Sequence, residues 1–154
     1  MMNKISHGLA LLLTAFWVGG LLVVGYIVVP VVFQSLPDRQ MAGMLAGKLF
    51  SAMAYAGMVC AACLLIYHFS QFGKQAVKQK IVWLIGVMLL LTLLGQFGIQ
   101  PIMAELRVQA LPAEVMQSAL ADRFRMLHGL ASIIYLVLSL LGVVLVLKMS
   151  KSRP

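Results

Sequence analysis

Acidic residues are scarce in this chain: Asp38, Glu105, Glu114 and Asp122 are the only four carboxylates among 154 residues. They are too few and too scattered for a carboxylate pair within a long apolar segment, and they leave twelve Lys and Arg side chains largely unbalanced, for a net charge of +8. Two cysteines, Cys60 and Cys63, cannot build a disulfide framework. There is no glycine-rich phosphate loop, no His-Glu-x-x-His pair and no nucleophile beside a base, so the common hydrolase and nucleotide-binding templates find no residues to work through. Charged residues make up 10% of the chain, against about 25% in soluble domains.

Apolar residues take their place, at 62% with a mean hydropathy of +1.01. Four stretches, 5–34, 49–73, 81–104 and 126–147, contain no Asp, Glu, Lys or Arg. Each is long enough for a helix to cross a bilayer, which takes roughly 20 apolar residues. The fold class expected is all-α, a four-span transmembrane helix bundle forming a single integral membrane domain, with helices at about 5–34, 43–73, 81–104 and 112–147. The first stretch, uncharged from Lys4 to Asp38, is too long for the h-region of a signal peptide and is read as a retained helix.

The second helix is extended back to 43 because Gly43, Gly47 and Ser51, then Ala52, Ala56 and Cys60, then Gly57 and Ala61, recur every four residues. Such small-residue stripes let backbones approach closely in lipid, which places this helix at the centre of the bundle. Trp17 is expected to be a packing residue, and Trp83 an interfacial one. The third helix is expected to end near Gln96, Gln100 and Pro101. After Pro112, the spacing of Met116, Leu120, Phe124 and Leu127 against Glu114, Gln117 and Arg123 predicts a short amphipathic helix in the third loop.

Charge sets an orientation. With the N-terminus inside, Lys4, Lys74, Lys78, Lys80, Lys148, Lys151 and Arg153 are cytoplasmic, whereas Arg39, Lys48, Arg107, Arg123 and Arg125 share the outer loops with all four acids. The net charge divides into +7 inside and +1 outside, as the positive-inside rule favours. The basic balance is read as anchoring to anionic lipid and not as nucleic-acid binding.

With no carboxylate, lysine or arginine inside the apolar stretches, the histidines are the first residues there to weigh for a site. His7 and His68 fall near the cytoplasmic boundary and together could ligate a haem or a transition metal. Cys60, Cys63 and Met53 share one helix and offer soft sulfur ligands suited to copper. His128 lies three residues after Arg125 on one helix face at the opposite boundary, where the two could hold a phosphate or carboxylate group.

A family resemblance enters through particular residues. His7-Gly8-Leu9, Phe33-Gln34-Ser35-Leu36-Pro37, Gly43, Gly47-Lys48-Leu49-Phe50, Pro101 and Phe124-Arg125-Met126-Leu127-His128-Gly129-Leu130 with Ser132 resemble the transmembrane-protein-205-like family, whose bacterial form is the domain of unknown function 4149. The resemblance implies a four-span membrane protein with the short third loop of that bacterial form. Animal members are associated with tolerance of platinum drugs, which the resemblance would connect to soft-metal handling. His68, Cys60 and Cys63 stand outside its pattern.

The functional expectation is a small accessory or transport-related protein of the bacterial inner membrane, with both termini cytoplasmic and no catalytic residues. Its candidate surface is an outer-face patch of Ser35, Pro37, Lys48, Arg125 and His128 that binds an anion, a lipid or a partner. Membrane lipids, a second copy of the chain or another membrane protein are the expected partners. One alternative is a haem- or copper-handling protein using His7 and His68, or Cys60, Cys63 and Met53. A membrane enzyme acting on lipid or quinone is the other.

Overall fold

The computed structural model describes residues 4–111 and 114–151. Pro112, expected in the first turn of a loop helix, and Arg153, expected on the basic face, lie outside them, as does the side chain of Lys4. Among the described residues every regular element is helical. The first helix comprises Lys4–Val23, a π segment Val24–Val28, and Val29–Ser35; the second is Arg39–Phe72. The third comprises Lys80–Leu93, a π segment Leu94–Ile99, and Gln100–Gln109; the fourth is Ala121–Lys151.

Each helix packs chiefly on its neighbours in sequence, and the first also packs on the fourth, so the bundle is a ring of four. No helix is central. The second helix therefore forms one side of that ring, contrary to its expected central place, because its small residues serve both flanking helices. Among the glycines of the second helix the approach is closest at Gly57: a Cβ there would lie 2.5 Å from the indole Nε1 of Trp17, the largest fully buried side chain. Trp17, Leu64, Ile85, Met88 and Leu145 belong to the main core, and Ile99, Met103, Leu106 and Phe124 belong to a second cluster beneath the third loop.

Leu9, Leu12, Phe16, Ile66, Val59, Leu90, Ile133 and Leu140 point outward and are more than half exposed. No more than 28% of the most apolar window of any of the four long helices is buried. An apolar surface on this scale needs hydrocarbon around it, and the protein is a multi-pass membrane protein.

The ends of the helices follow local chemistry. Asp38 caps the second helix, its carboxylate accepting from the backbone N–H of Gln40 at 2.8 Å and Met41 at 3.1 Å. Gly73, at φ 52°, ends it in the left-handed region that glycine tolerates. Trp83 is exposed and its Nε1–H donates to the Val77 carbonyl at 2.9 Å, fixing the 73–79 linker to the third helix. The helical part of the third loop is a 3₁₀ turn, Val115–Gln117, and the amphipathic stripe divides between it and the fourth helix. Val115 and Phe124 are buried there, while Met116 faces out.

The third helix does not stop at Pro101. Proline has no N–H to donate, and its ring collides with the carbonyl four residues back, which ordinarily breaks an α-helix. Here both Pro30 and Pro101 follow π segments, where the N–H of Val29 reaches the Val24 carbonyl and that of Gln100 reaches the Gly95 carbonyl. The wider turn makes room for the ring, and the third helix runs on to Gln109.

Candidate functional site

The two π segments face a common space. Gly25 and Tyr26 of the first with Val29 and Pro30 just after it, and Gly95, Gln96 and Ile99 of the second with Gln100 just after it, line a cavity of about 650 Å³ at the end of the bundle opposite the termini. That volume is within the roughly 300–1,000 Å³ of small-molecule sites. Thr92 and Arg107 both line it on the same helix, so it extends about 20 Å along the bundle axis. Its inner part is bounded by Trp17, Leu21, Met53, Leu91 and Leu138.

Most of the polar groups around this space are engaged within the protein. The Tyr135 hydroxyl donates to the Leu21 carbonyl at 2.7 Å, just before the first π segment. Tyr26 donates to Ser139 Oγ at 3.2 Å, and Ser139 donates to the Tyr135 carbonyl at 2.9 Å. Thr92 and Ser132 donate to the carbonyls of Met88 and His128, both at 2.8 Å. Gln100 Nε2 donates across the bundle to the Gly47 carbonyl at 2.9 Å. The tyrosine walls consequently present ring faces and edges, with Phe50 set edge-on to Tyr135 at 5.0 Å between centroids.

Arg107 is different. Its guanidinium lines the cavity half-buried, and among the described residues it has no hydrogen bond or ion pair. Its one specific contact is with Phe124, the Cζ atom lying 5.1 Å from the ring centroid. His128 stacks on the same ring, with 6.1 Å between centroids and 8° between planes. Gly47 leaves room for the cation, since a Cβ there would come within 3.3 Å of Arg107 Nη1 and 3.2 Å of Gln100 Nε2. A cation withdrawn from water without a carboxylate beside it favours an anion entering its pocket.

The model of a family described as Domain of unknown function (DUF4149) matches residues 12–112. This chain belongs to the DUF4149 family. The matched span holds both π segments, Gly43, Gly47, Gln100 and Arg107, whereas Arg125 and His128 of this DUF4149 protein lie beyond it. No curated protein and no solved structure matches the chain.

Of the expected outer patch, only His128 lines the cavity. Ser35, Pro37 and Lys48 are exposed, and Arg125 is held by Asp122 at 2.9 Å on the surface. No hydrogen bond or ion pair among the described residues joins these five to one another. Other residues that carry the family resemblance, Phe33, Gly43, Gly47 and Phe50, do line it.

The expected metal ligands do not come together. His7 and His68 line one pocket at the end bearing the termini. Met53 lines the cavity instead, Cys60 is buried in the core, and Cys63 is exposed on the bundle surface. No group of three His, Cys, Asp or Glu suited to a metal occurs among the described residues.

Arg107 is absent from the residues picked out by sequence reasoning because the third helix was expected to end before it. Ile99, Met103, Leu106 and Ala110 are all buried and continue a helical stripe past Pro101. That spacing was the available indication that Arg107 belongs to a packed helix.

Proposed function

We propose that this DUF4149 protein binds a single-chain anionic amphiphile within the membrane, with the anionic head at Arg107 and the apolar chain along the cavity toward Trp17 and Leu138. The observation that carries this reading is the half-buried guanidinium, without a hydrogen bond or ion pair among the described residues, at one end of a largely apolar space. His128 and Gln96 also border it and make no side-chain hydrogen bond among the described residues, so they are placed to orient the head. The cavity gives the protein an accessory or transport-related part in handling such molecules.

The location proposed is the bacterial inner membrane, with the termini in the cytoplasm. The concentration of Lys74, Lys78, Lys80, Lys148 and Lys151 at the terminal end supports that orientation. Arg107 then sits in the outer half of the bilayer, and the amphiphile enters from the outer leaflet.

Native mass spectrometry of the detergent-purified chain tests this with two probes of equal chain length. Palmitoyl lysophosphatidylglycerol, which is anionic, is expected to be retained at least about tenfold better than zwitterionic palmitoyl lysophosphatidylcholine. Equal retention would refute a head site built around Arg107.

A further inference from the structure

The opposite end of the bundle contains a second pocket, of about 500 Å³, to which the first, second, third and fourth helices all contribute. At its wall is His68, only 4% exposed. Its Nδ1 lies 3.2 Å from Gln79 Oε1. A carbonyl oxygen can only accept, so Nδ1 carries the proton and donates, and in the neutral ring Nε2 keeps its lone pair. That Nε2 is the one buried side-chain nitrogen or oxygen among the described residues without a hydrogen-bond partner. The ring cannot turn to satisfy it without releasing Gln79. Phe72, stacked at 6.2 Å, and Tyr67, edge-on at 5.2 Å, pack against its faces.

Lys80 and Lys151, both with exposed side chains, line the same pocket, as does Lys148. Among the described residues no carboxylate lines the pocket. Three lysines repel a metal cation, which argues against His7 and His68 as a metal pair despite their sharing the pocket. His7 instead lies within hydrogen-bond reach of Tyr67, with 3.4 Å between Nδ1 and Oη. The occupant that fits must carry negative charge for the lysines and also present a hydrogen-bond donor to His68 Nε2.

We infer that this pocket binds a phosphomonoester or free phosphate in its monoprotonated form. The P–OH donates to His68 Nε2 while the remaining oxygens face the lysines. With a second pKa near 6, a phosphomonoester carries that proton fully at mildly acidic pH and in a minor fraction at neutral pH, whereas sulfate of the same shape carries none at either. The shared chemistry has two sources, a free phosphate from the cytoplasm or the headgroup of phosphatidic acid in the inner leaflet.

The test uses the full chain labelled with ¹⁵N-histidine in phosphatidylcholine nanodiscs. Inorganic phosphate, inorganic sulfate, or phosphatidic acid blended into the bilayer serve as the probes. Phosphate or phosphatidic acid is expected to move the His68 Nε2 resonance from the lone-pair region toward the hydrogen-bonded region, with phosphate at least about tenfold more effective than sulfate. A response to inorganic phosphate assigns a soluble source; a response to phosphatidic acid alone assigns the lipid. His68→Leu should reduce phosphate-over-sulfate discrimination to about one, read by competition with radiolabelled phosphate. Lys80→Gln with Lys151→Gln, both on exposed side chains, should weaken phosphate and sulfate binding together and leave their ratio unchanged. An unmoved Nε2 resonance with every probe, or equal responses to phosphate and sulfate, would overturn the inference.

Discussion

Arg107→Gln is expected to lower the affinity for lysophosphatidylglycerol by roughly 10- to 150-fold, the loss of about 1.5–3 kcal/mol that follows removal of a charge-assisted contact in a dehydrated site. Binding of lysophosphatidylcholine should change much less, because its head gains little from the guanidinium. Folding should be nearly unaffected. Glutamine loses the cation–π contact with Phe124, worth about 0.5–1 kcal/mol in a partly exposed setting, and removes an unpaired charge at the same time. Arg125→Gln is the matched control. Arg125 is exposed and paired with Asp122 one helical turn away, so its removal should leave both probes bound as before. The two variants remove the same charge from the same end of the bundle, and only a cavity site separates their effects. A uniform surface attraction for anionic lipid would make them alike.

The second large effect concerns the fold. Gly57→Ala is expected to destabilise the bundle by about 1–3 kcal/mol, because its Cβ would meet a rigid indole and not a flexible chain end. Atoms Nε1, Cδ1 and Cε2 of Trp17 would be 2.5, 3.1 and 3.2 Å from it. Trp17 is 1% exposed and has little room to retreat. Combining Gly57→Ala with Trp17→Phe should recover part of the loss, since the smaller ring vacates the contested space. Unfolding in mixed micelles followed by circular dichroism would measure both, and strictly additive losses would show that the two residues do not press on each other.

The four spans were legible because the charges keep out of the hydrocarbon, so that Lys4 and Asp38, or Lys80 and Glu105, bracket runs of nothing else. The packing role of Trp17 was legible from its mid-span position. Gln100 spans the bundle to Gly47, a contact that neither residue announces alone. Arg107 was concealed by Pro101, which in water is a sound reason to end a helix. A π turn before the proline removes that reason, yet its occurrence depends on the tertiary setting as well as on local composition. The cavity was concealed for the same cause, since it forms where two such turns meet.

At the other end, the shared boundary position of His7 and His68 was visible, but the lysines were read only as topology determinants and lipid anchors. Their convergence on one pocket follows from the register of the third and fourth helices, which no single segment encodes. Cys60 is buried and Cys63 exposed although three residues leave them only about 60° apart around the helix, because the edge of the packed face runs between them. A heptad from Met53 to Cys60 does return to nearly the same face, but Met53 fills the cavity wall beside Gly20.

Photocrosslinking with single-chain anionic amphiphiles tests the cavity most directly. A diazirine is placed near the head in one probe and at the chain end in another, and the modified residues are mapped by mass spectrometry. The head probe is expected to mark the vicinity of Arg107 and His128, and the chain-end probe to mark Met53, Leu91 or Leu138, in each case competed by unlabelled lysophosphatidylglycerol. Labelling confined to the outward belt of Leu12, Phe16, Ile133 and Leu140, without competition, would show that the chain never enters the bundle and would contradict the proposed function.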